Sequence, residues 1–352
     1  MPGIVLGRRE FGIGITAFGV TAGLLSKPDS AAALGGMADD HFALVDPELI
    51  EAVKALPDFT VTAQSLPLVR KRPPFPTAPA PALQPQFRTI PGSRGAPDVR
   101  VMVIDGTDGK SASPAYLHMH GGGFVGGRVD QYPAAYQALA AACGCLIVSV
   151  DYRLAPEVRF PGALEDNYAA LRWLHGHAAE LGIDPSRIAI GGESAGGGHA
   201  AMLAIAARDR GEFPISFQML IYPMLDDRTG STLSVPPHVG RFIWNTASNR
   251  FGWGALLGQS PGLNKVPNGS VPARLEDLAG LPPTFISVGG LDLFAGEDIT
   301  YASRLNAAGV PVELLVVPGA YHAFDALAPT ARVSKQFRAA CIAALKRGLG
   351  LA

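Results

Sequence analysis

Cysteine is scarce in this chain: Cys143, Cys145 and Cys341 are the only ones among 352 residues. An odd set supports no disulfide framework, and Cys143 and Cys145 stand too close for an easy bridge, so all three read as small apolar fillers in or beside buried elements. Charge of one sign is lacking as well. The 29 basic and 30 acidic residues leave a formal net charge of -1 without long like-charge runs, which offers no electrostatic footprint to nucleic acid or an anionic membrane. Internal repeats are missing. With 48% hydrophobic and 17% charged residues, what remains is a globular chain that can bury a substantial core and that acts on a small molecule.

Residues 1–33 differ in composition from the rest. Arg8-Arg9-Glu10-Phe11 leads into an uncharged, glycine- and alanine-rich run to Ser26, followed by Lys27 and Ser30-Ala31-Ala32-Ala33. Paired arginines, a phenylalanine two residues on, a weakly apolar core and a small-residue cleavage site resemble a twin-arginine export signal, with Gly7 where Ser or Thr is usual. The run is short against the ~20 residues of a membrane-spanning helix, and its glycines suit an amphipathic helix poorly. The expectation is an exported protein, periplasmic or secreted, cleaved near Ala32 or Ala33, whose mature chain has no stable membrane insertion; without a working signal it is cytoplasmic.

After Asp46-Pro47, the spacing of Leu49, Ile50, Val53 and Leu56 predicts an amphipathic helix ended by Pro57. Prolines then dominate from Pro67 to Pro97, which predicts an extended strap. Segments 41–85 therefore read as an N-terminal cap element, and 86–352 as the main domain. Gln86 to Ile90 and Val99 to Ile104 predict a short antiparallel start to a sheet. Apolar runs follow at Ala115 to Met119, Leu146 to Val150, Ile188 to Ile190, Phe217 to Tyr222, Thr284 to Val288 and Val312 to Val317. Helix-length segments such as Leu164 to Leu174 and Asp298 to Ala308 separate them, the rhythm of buried parallel strands with helical crossovers. The fold class is α/β: one mostly parallel sheet of about eight strands with helices on both faces. Residues 226–272, with Trp244 and Trp253, are too long for a plain crossover and read as an insertion that completes the cap. The two tryptophans either line its roof or form its packing core.

The chemistry centres on Gly191-Gly192-Glu193-Ser194-Ala195-Gly196-Gly197, which joins the run Arg187 to Ile190 to a small-residue helix. A serine with glycine two residues to either side fits a sharp, strained strand-to-helix turn that lifts its hydroxyl clear of the sheet, with a helix N-terminus behind it. Upstream, His120-Gly121-Gly122-Gly123-Phe124-Val125-Gly126-Gly127 follows a strand. Gly122 and Gly123 let backbone N–H groups approach a substrate oxygen, as an oxyanion hole requires. The same loop satisfies G-x-G-x-x-G at Gly121, Gly123 and Gly126, with Asp151 closing the next strand, so a nicotinamide-dependent dehydrogenase is a rival reading. That reading leaves Ser194 and its partners as coincidence. His118 and His120 alternate like a metal pair, but no Cys or carboxylate follows at ligand spacing, and no metal or cofactor is expected.

An acyl-transfer serine needs a base, and the base needs a carboxylate to hold its tautomer. Asp292 follows the strand Thr284 to Val288, and His322 follows Val312 to Val317. Loops at strand C-termini share one edge of a parallel sheet, and the order Ser, Asp, His is that of α/β hydrolases. Glu297 and Asp298 are near rivals to Asp292, with the spacing of first-turn helix charges.

Together these residues, with Asp151-Tyr152-Arg153-Leu154-Ala155-Pro156-Glu157, Phe160-Pro161, Asp184-Pro185 with Arg187, Leu291-Asp292-Leu293-Phe294 and His322-Ala323-Phe324, resemble the hormone-sensitive-lipase-like (bacterial family IV) esterases over roughly residues 41 to 350. The resemblance implies a serine carboxylesterase for short-chain esters. Ser194 would be the nucleophile, His322 the base, Asp292 the orienting acid, the N–H groups of Gly122, Gly123 and Ala195 the oxyanion hole, and His120 a brace for that loop. Some relatives have lost a catalytic residue and bind hormones, so a silent ligand-binding protein is the alternative; a homodimer is left open. Three positions depart from the family pattern: Glu193 for a common Asp, Gly296 for a second Asp of the acid loop, and Ala323 for a Gly. Glu193 reads as a structural carboxylate facing away from substrate, and Gly296 leaves open which hydrogen bonds steady Asp292.

Overall fold

The chain lays down its sheet from one edge to the other, with only the third and fourth strands exchanged in order. Its strands are β1 (Gln86–Ile90), β2 (Val99–Asp105), β3 (Ser113–Met119), β4 (Leu146–Val150), β5 (Ile183–Glu193), β6 (Phe217–Ile221), β7 (Thr284–Gly289) and β8 (Val312–Val317). They form one eight-stranded sheet in the order β1-β2-β4-β3-β5-β6-β7-β8. β1 pairs antiparallel with β2 and β2 with β4, and every later pairing is parallel. Strands β3, β4, β6 and β7 are buried at every position, which requires helices on both faces and explains their unbroken apolar runs. At the edge, β8 leaves Leu314 and Val316 partly exposed.

This computed structural model describes residues 41–56, 59–71, 83–93, 95–131 and 133–351. The export signal read over residues 1–33, Pro57, and the prolines of the strap from Pro73 to Pro81 lie outside these. The sheet belongs to the unit Leu44–Ala352. Among the described residues no helix is long and apolar enough to cross a membrane.

The helices of this unit start and stop on readable signals. α1 (Pro47–Lys54) has Pro at its first position and Asp46 as N-cap, whose carboxylate accepts the Glu48 N–H at 2.9 Å. It buries Leu49 and Val53 but ends before Leu56, which is exposed. α2 (Leu66–Arg70) corrects the strap, because Pro67 stands in a helical first turn, where its missing N–H costs nothing, and not in extended chain. α3 (Pro133–Cys143), α4 (Gly162–Gly176), α5 (Ala195–Arg210), α6 (Thr246–Leu257), α7 (Ala295–Ala307), the short α8 (Phe324–Leu327) and α9 (Arg332–Gly348) follow. α5 is made of small residues because it lies on the sheet itself: a Cβ on Gly196 would stand 2.0 Å from the Met119 carbonyl oxygen. The segment between β6 and β7 carries α6, capped by Asn245, whose side chain accepts the Ser248 N–H at 2.9 Å. It meets the N-terminal segment directly, since the Val61 N–H donates to Ser248 Oγ and the Asn245 amide to Thr60 Oγ1, both at 2.9 Å. The three cysteines are buried thiols, as expected.

Candidate active site

Ser194 sits in the turn between β5 and α5 with φ 57 and ψ -120, a left-handed conformation that side chains rarely adopt. The surroundings over-determine it: its N–H donates to the Ile221 carbonyl at 2.9 Å, and its own carbonyl accepts the N–H groups of Gly198 and Met224, each at 3.0 Å. On β5 itself Gly192 is forced, since a Cβ there would lie 2.1 Å from the carbonyl oxygen of Met119 on the neighbouring β3.

His322 and Asp292 meet Ser194 at the C-terminal edge of the sheet. His322 Nε2 lies 3.0 Å from Ser194 Oγ, and His322 Nδ1 lies 2.7 Å from Asp292 Oδ2. A carboxylate only accepts, so Nδ1 carries the proton and Nε2 is left to receive the serine's. All three side chains are buried. Asp292 Oδ1 accepts the backbone N–H of Phe294 at 3.1 Å, and this bond supplies the support that Gly296 cannot. Two rings confine the imidazole edge-on: Tyr222 at 4.9 Å between centroids and Phe294 at 5.3 Å. Ala323, directly after the histidine, takes φ 58, the conformation for which glycine is better suited. The loop is pinned from the N-terminal segment, where the Tyr321 hydroxyl donates to the Leu49 carbonyl at 3.0 Å.

The rival acids are elsewhere. Glu297 uses Oε1 to accept the N–H groups of Leu225 and Asp226 at 2.7 and 3.2 Å, tying α7 to the start of the insertion. Asp298 is fully buried in the first turn of α7, and neither oxygen has a hydrogen-bond partner among the described residues. Burial, with Glu297 and Asp292 nearby, pushes its carboxyl well above the usual range.

The glycine loop follows β3. Gly122 and Gly123 have φ of 135 and 62, and among the described residues neither donates its N–H to another backbone carbonyl. Gly123 is also a contact: a Cβ there would stand 2.1 Å from Trp244, whose indole donates to Asn249 Oδ1 at 3.2 Å. Trp244 thus packs on the loop, whereas Trp253 is wholly buried against Phe124. His120 stacks on Tyr152 with centroids 4.2 Å apart, places Nδ1 2.9 Å from the Gly121 carbonyl, and has its own carbonyl held by the Tyr152 hydroxyl at 2.5 Å. Burial pushes its imidazole down to about 4, so it stays neutral at pH 7. His118 bonds Ser149 and Glu193. Asp151, the ribose partner of the dinucleotide reading, pairs with Arg100 at 3.1 Å.

Arg70 was not singled out by its sequence, and nothing local marks it. It reaches from α2 to donate to the carbonyls of Val125 in the glycine loop at 2.8 Å and Ala155 at 2.9 Å, and pairs with Glu157 at 2.7 Å. A cleft of about 1080 Å³ bounded by Arg228, Glu297, Tyr301 and Arg304 lies beside the acid loop; neither Ser194 nor His322 lines it.

His199, on α5, joins the same aromatic cluster edge-on to Phe124 and Tyr152, with neither ring nitrogen bonded among the described residues. Burial lowers its pKa to about 3. A depressed folded-state pKa means stability that is complete above the unfolded value of ~6.5 and lost as pH falls towards the folded one, with a slope of about 1.4 kcal/mol per pH unit inside that window. His199→Leu is expected to remove one such contribution. Chemical denaturation at several pH values from 7 to 4.5 should give a flatter stability profile for the variant than for the wild type; parallel profiles would mean that His199 does not titrate on unfolding.

The model for the α/β-hydrolase fold matches residues 116–326, from within β3 to within α8 and including every residue of the Ser-His-Asp group. The chain belongs to the α/β-hydrolase family. Within it, this hydrolase falls in the hormone-sensitive-lipase-like branch. It is 36% identical to the esterase LipI of Mycobacterium tuberculosis over 286 residues, 80% of this chain and 88% of that protein. To the carboxylesterase NlhH of the same species it is 37% identical over 273 residues, 76% and 84% of the two chains. Among solved structures, a bacterial heroin esterase superposes with a TM-score of 0.80 at 38% identity, covering 88% of this chain and 99% of that one.

Proposed function

We propose that this α/β hydrolase, a carboxylic ester hydrolase, cleaves short-chain esters through an acyl-enzyme on Ser194. The observation that carries the reading is the buried chain of bonds from Ser194 Oγ to His322 to Asp292, at 3.0 and 2.7 Å. His322 Nε2 takes the serine proton as Oγ attacks the ester carbonyl, and the imidazolium that forms is stabilised by Asp292. The tetrahedral oxyanion is received by the N–H groups of Gly122, Gly123 and Ala195, the last at the N-terminus of α5. His322 then returns the proton to the departing alcohol, and water repeats the sequence on the acyl-enzyme. No step requires a cofactor.

Segments 41–85 and 226–272 act in this reading as a cap that limits chain length. Their mutual hydrogen bonds, the contact of Trp244 with Gly123 and the bond from Arg70 to Val125 support that role. A fluorophosphonate probe, which phosphonylates an activated serine, is expected to label the purified protein on the peptide containing Ser194. Labelling of another residue, or of none in a folded sample, would overturn the nucleophile.

Residues 1–33 act, on the same reading, as an export signal recognised through Arg8 and Arg9. Mass spectrometry of the periplasmic or secreted fraction should find an N-terminus near Ala32 or Ala33, and Arg8→Lys with Arg9→Lys should abolish export. Intact Met1 on cytosolic protein would refute it.

A further inference from the structure

A second Ser-His-acid chain lies inside the sheet next to the nucleophile. His118 on β3 faces Ser149 on β4 and Gly191 on β5 in register. Ser149 Oγ is 2.8 Å from His118 Nδ1, and His118 Nε2 is 2.9 Å from Glu193 Oε2. Glu193 is two residues beyond Gly191 and therefore on the same face of β5. Between them Gly191 gives up its side chain to its neighbours: a Cβ there would lie 2.5 Å from the Tyr116 hydroxyl and 2.3 Å from the Met219 carbonyl oxygen. His118 and Ser149 are wholly inaccessible to solvent, so this serine meets no substrate. The hydrogen-bond polarity is set by the end that can only accept: Glu193 takes the Nε2 proton, and Nδ1 accepts from the Ser149 hydroxyl.

Glu193 immediately precedes Ser194, whose backbone is held at φ 57 and ψ -120. A residue in such a conformation keeps it only while its surroundings dictate it. The Ile221 carbonyl holds the Ser194 N–H from the β6 side. On the β3 side, the side-chain bond from Glu193 to His118 ties the end of β5 to the strand that carries the glycine loop. Loss of that bond releases the last residue before the turn, and with it the 3.0 Å contact of Oγ with His322.

Resting on Ser194 as the nucleophile, we propose that Ser149, His118 and Glu193 form a positioning relay that holds the nucleophile turn in register with the glycine loop. Glu193 acts through its hydrogen bond and not through its charge, and neither His118 nor Glu193 touches substrate. The relay also gives the glutamate at this position a role, since its carboxylate reaches His118 on the neighbouring strand at 2.9 Å.

The test uses full-length protein and p-nitrophenyl acetate, with kcat referred to sites counted by fluorophosphonate titration. Glu193→Ala and His118→Ala are expected to lower kcat by roughly 10- to 100-fold with KM changed little, because misplacing a reacting group affects the attack more than binding. Glu193→Gln, which still accepts from His118, is expected to stay within about threefold of wild type on that same argument, and the double alanine variant to be no worse than the poorer single one, as coupled residues are. Additive losses, a change confined to KM, or a Glu193→Gln enzyme as slow as Glu193→Ala would overturn the relay. If His118→Ala does not fold, the Glu193 pair decides alone, since that side chain is partly exposed and wild-type kcat in Glu193→Ala would refute the proposal. Failure of the wild type to label at Ser194 would refute the nucleophile instead, which keeps the two outcomes apart.

Discussion

Ser194→Ala is expected to lower kcat for p-nitrophenyl acetate by about 10⁴-fold or more while the protein stays folded. The size follows from what the hydroxyl does: without Oγ no acyl-enzyme forms, and only the oxyanion donors and substrate binding remain to assist direct attack by water. The fold should tolerate the change, because alanine is no worse suited than serine to the strained φ of 57, and among the described residues the side chain's one hydrogen bond is to His322. Ser194→Gly separates strain from chemistry. It is expected to be equally inactive but to melt higher than Ser194→Ala, since glycine takes a positive φ without steric cost. Stopped-assay kinetics and melting curves on matched preparations check both parts. Retention of most of the activity by Ser194→Ala would remove the nucleophile assignment, and a lower melting point for the glycine variant would contradict the strain.

Asp292→Asn and Asp298→Asn are expected to differ by orders of magnitude. Asp292 receives the His322 Nδ1 proton at 2.7 Å. An amide at that place can present its N–H to Nδ1, which fixes the imidazole with its proton on Nε2, facing the serine whose proton it should take. In the corresponding serine-protease substitution this wrong tautomer costs about 10⁴-fold in kcat, and a loss of that order with KM little changed is expected here. Asp298 lies on α7, buried and without a hydrogen-bond partner among the described residues, so Asp298→Asn should cost little activity. Its effect is on stability. A carboxyl whose folded-state pKa is raised contributes fully below its unfolded pKa and loses that contribution as pH rises through the folded one. The asparagine variant, unable to ionise, should therefore gain stability over wild type towards alkaline pH. Steady-state kinetics and melting temperatures from pH 6 to 9 test both; the reverse ranking in kcat would move the acid to Asp298.

The strands were readable because a buried parallel strand has both faces covered and so appears as an unbroken apolar run. Leu146–Val150, buried throughout, is bounded to the residue, and so is Val312–Val317, whose run stays largely apolar although this edge strand leaves Leu314 and Val316 partly exposed. Less was legible where local preference and packing disagree. Pro67 was counted with the extended strap, although proline is equally at home in the first turn of α2. The apolar spacing after Asp46 extends to Leu56, but the helix ends at Lys54 and Leu56 is exposed. Gly296 left the support of Asp292 open, and the answer was a backbone N–H, from Phe294, which side-chain identities do not reveal. In the sequence His118 stands out only by its alternation with His120, since its partners Ser149 and Glu193 lie on other strands.

By itself the sequence determined the alternation of strand and helix, the turn that carries Ser194, and the order in which serine, acid and base leave the sheet. These are local properties: periodicity, glycine where a Cβ has no room, and reactive residues placed just after strands. The tertiary structure alone decided which carboxylate faces His322, that Trp244 lies on Gly123, that Arg70 reaches Val125, and that a second hydrogen-bonded chain runs beside Ser194. Each of these joins segments distant in sequence, and how such segments meet is set by the packing of the whole unit rather than by any one segment.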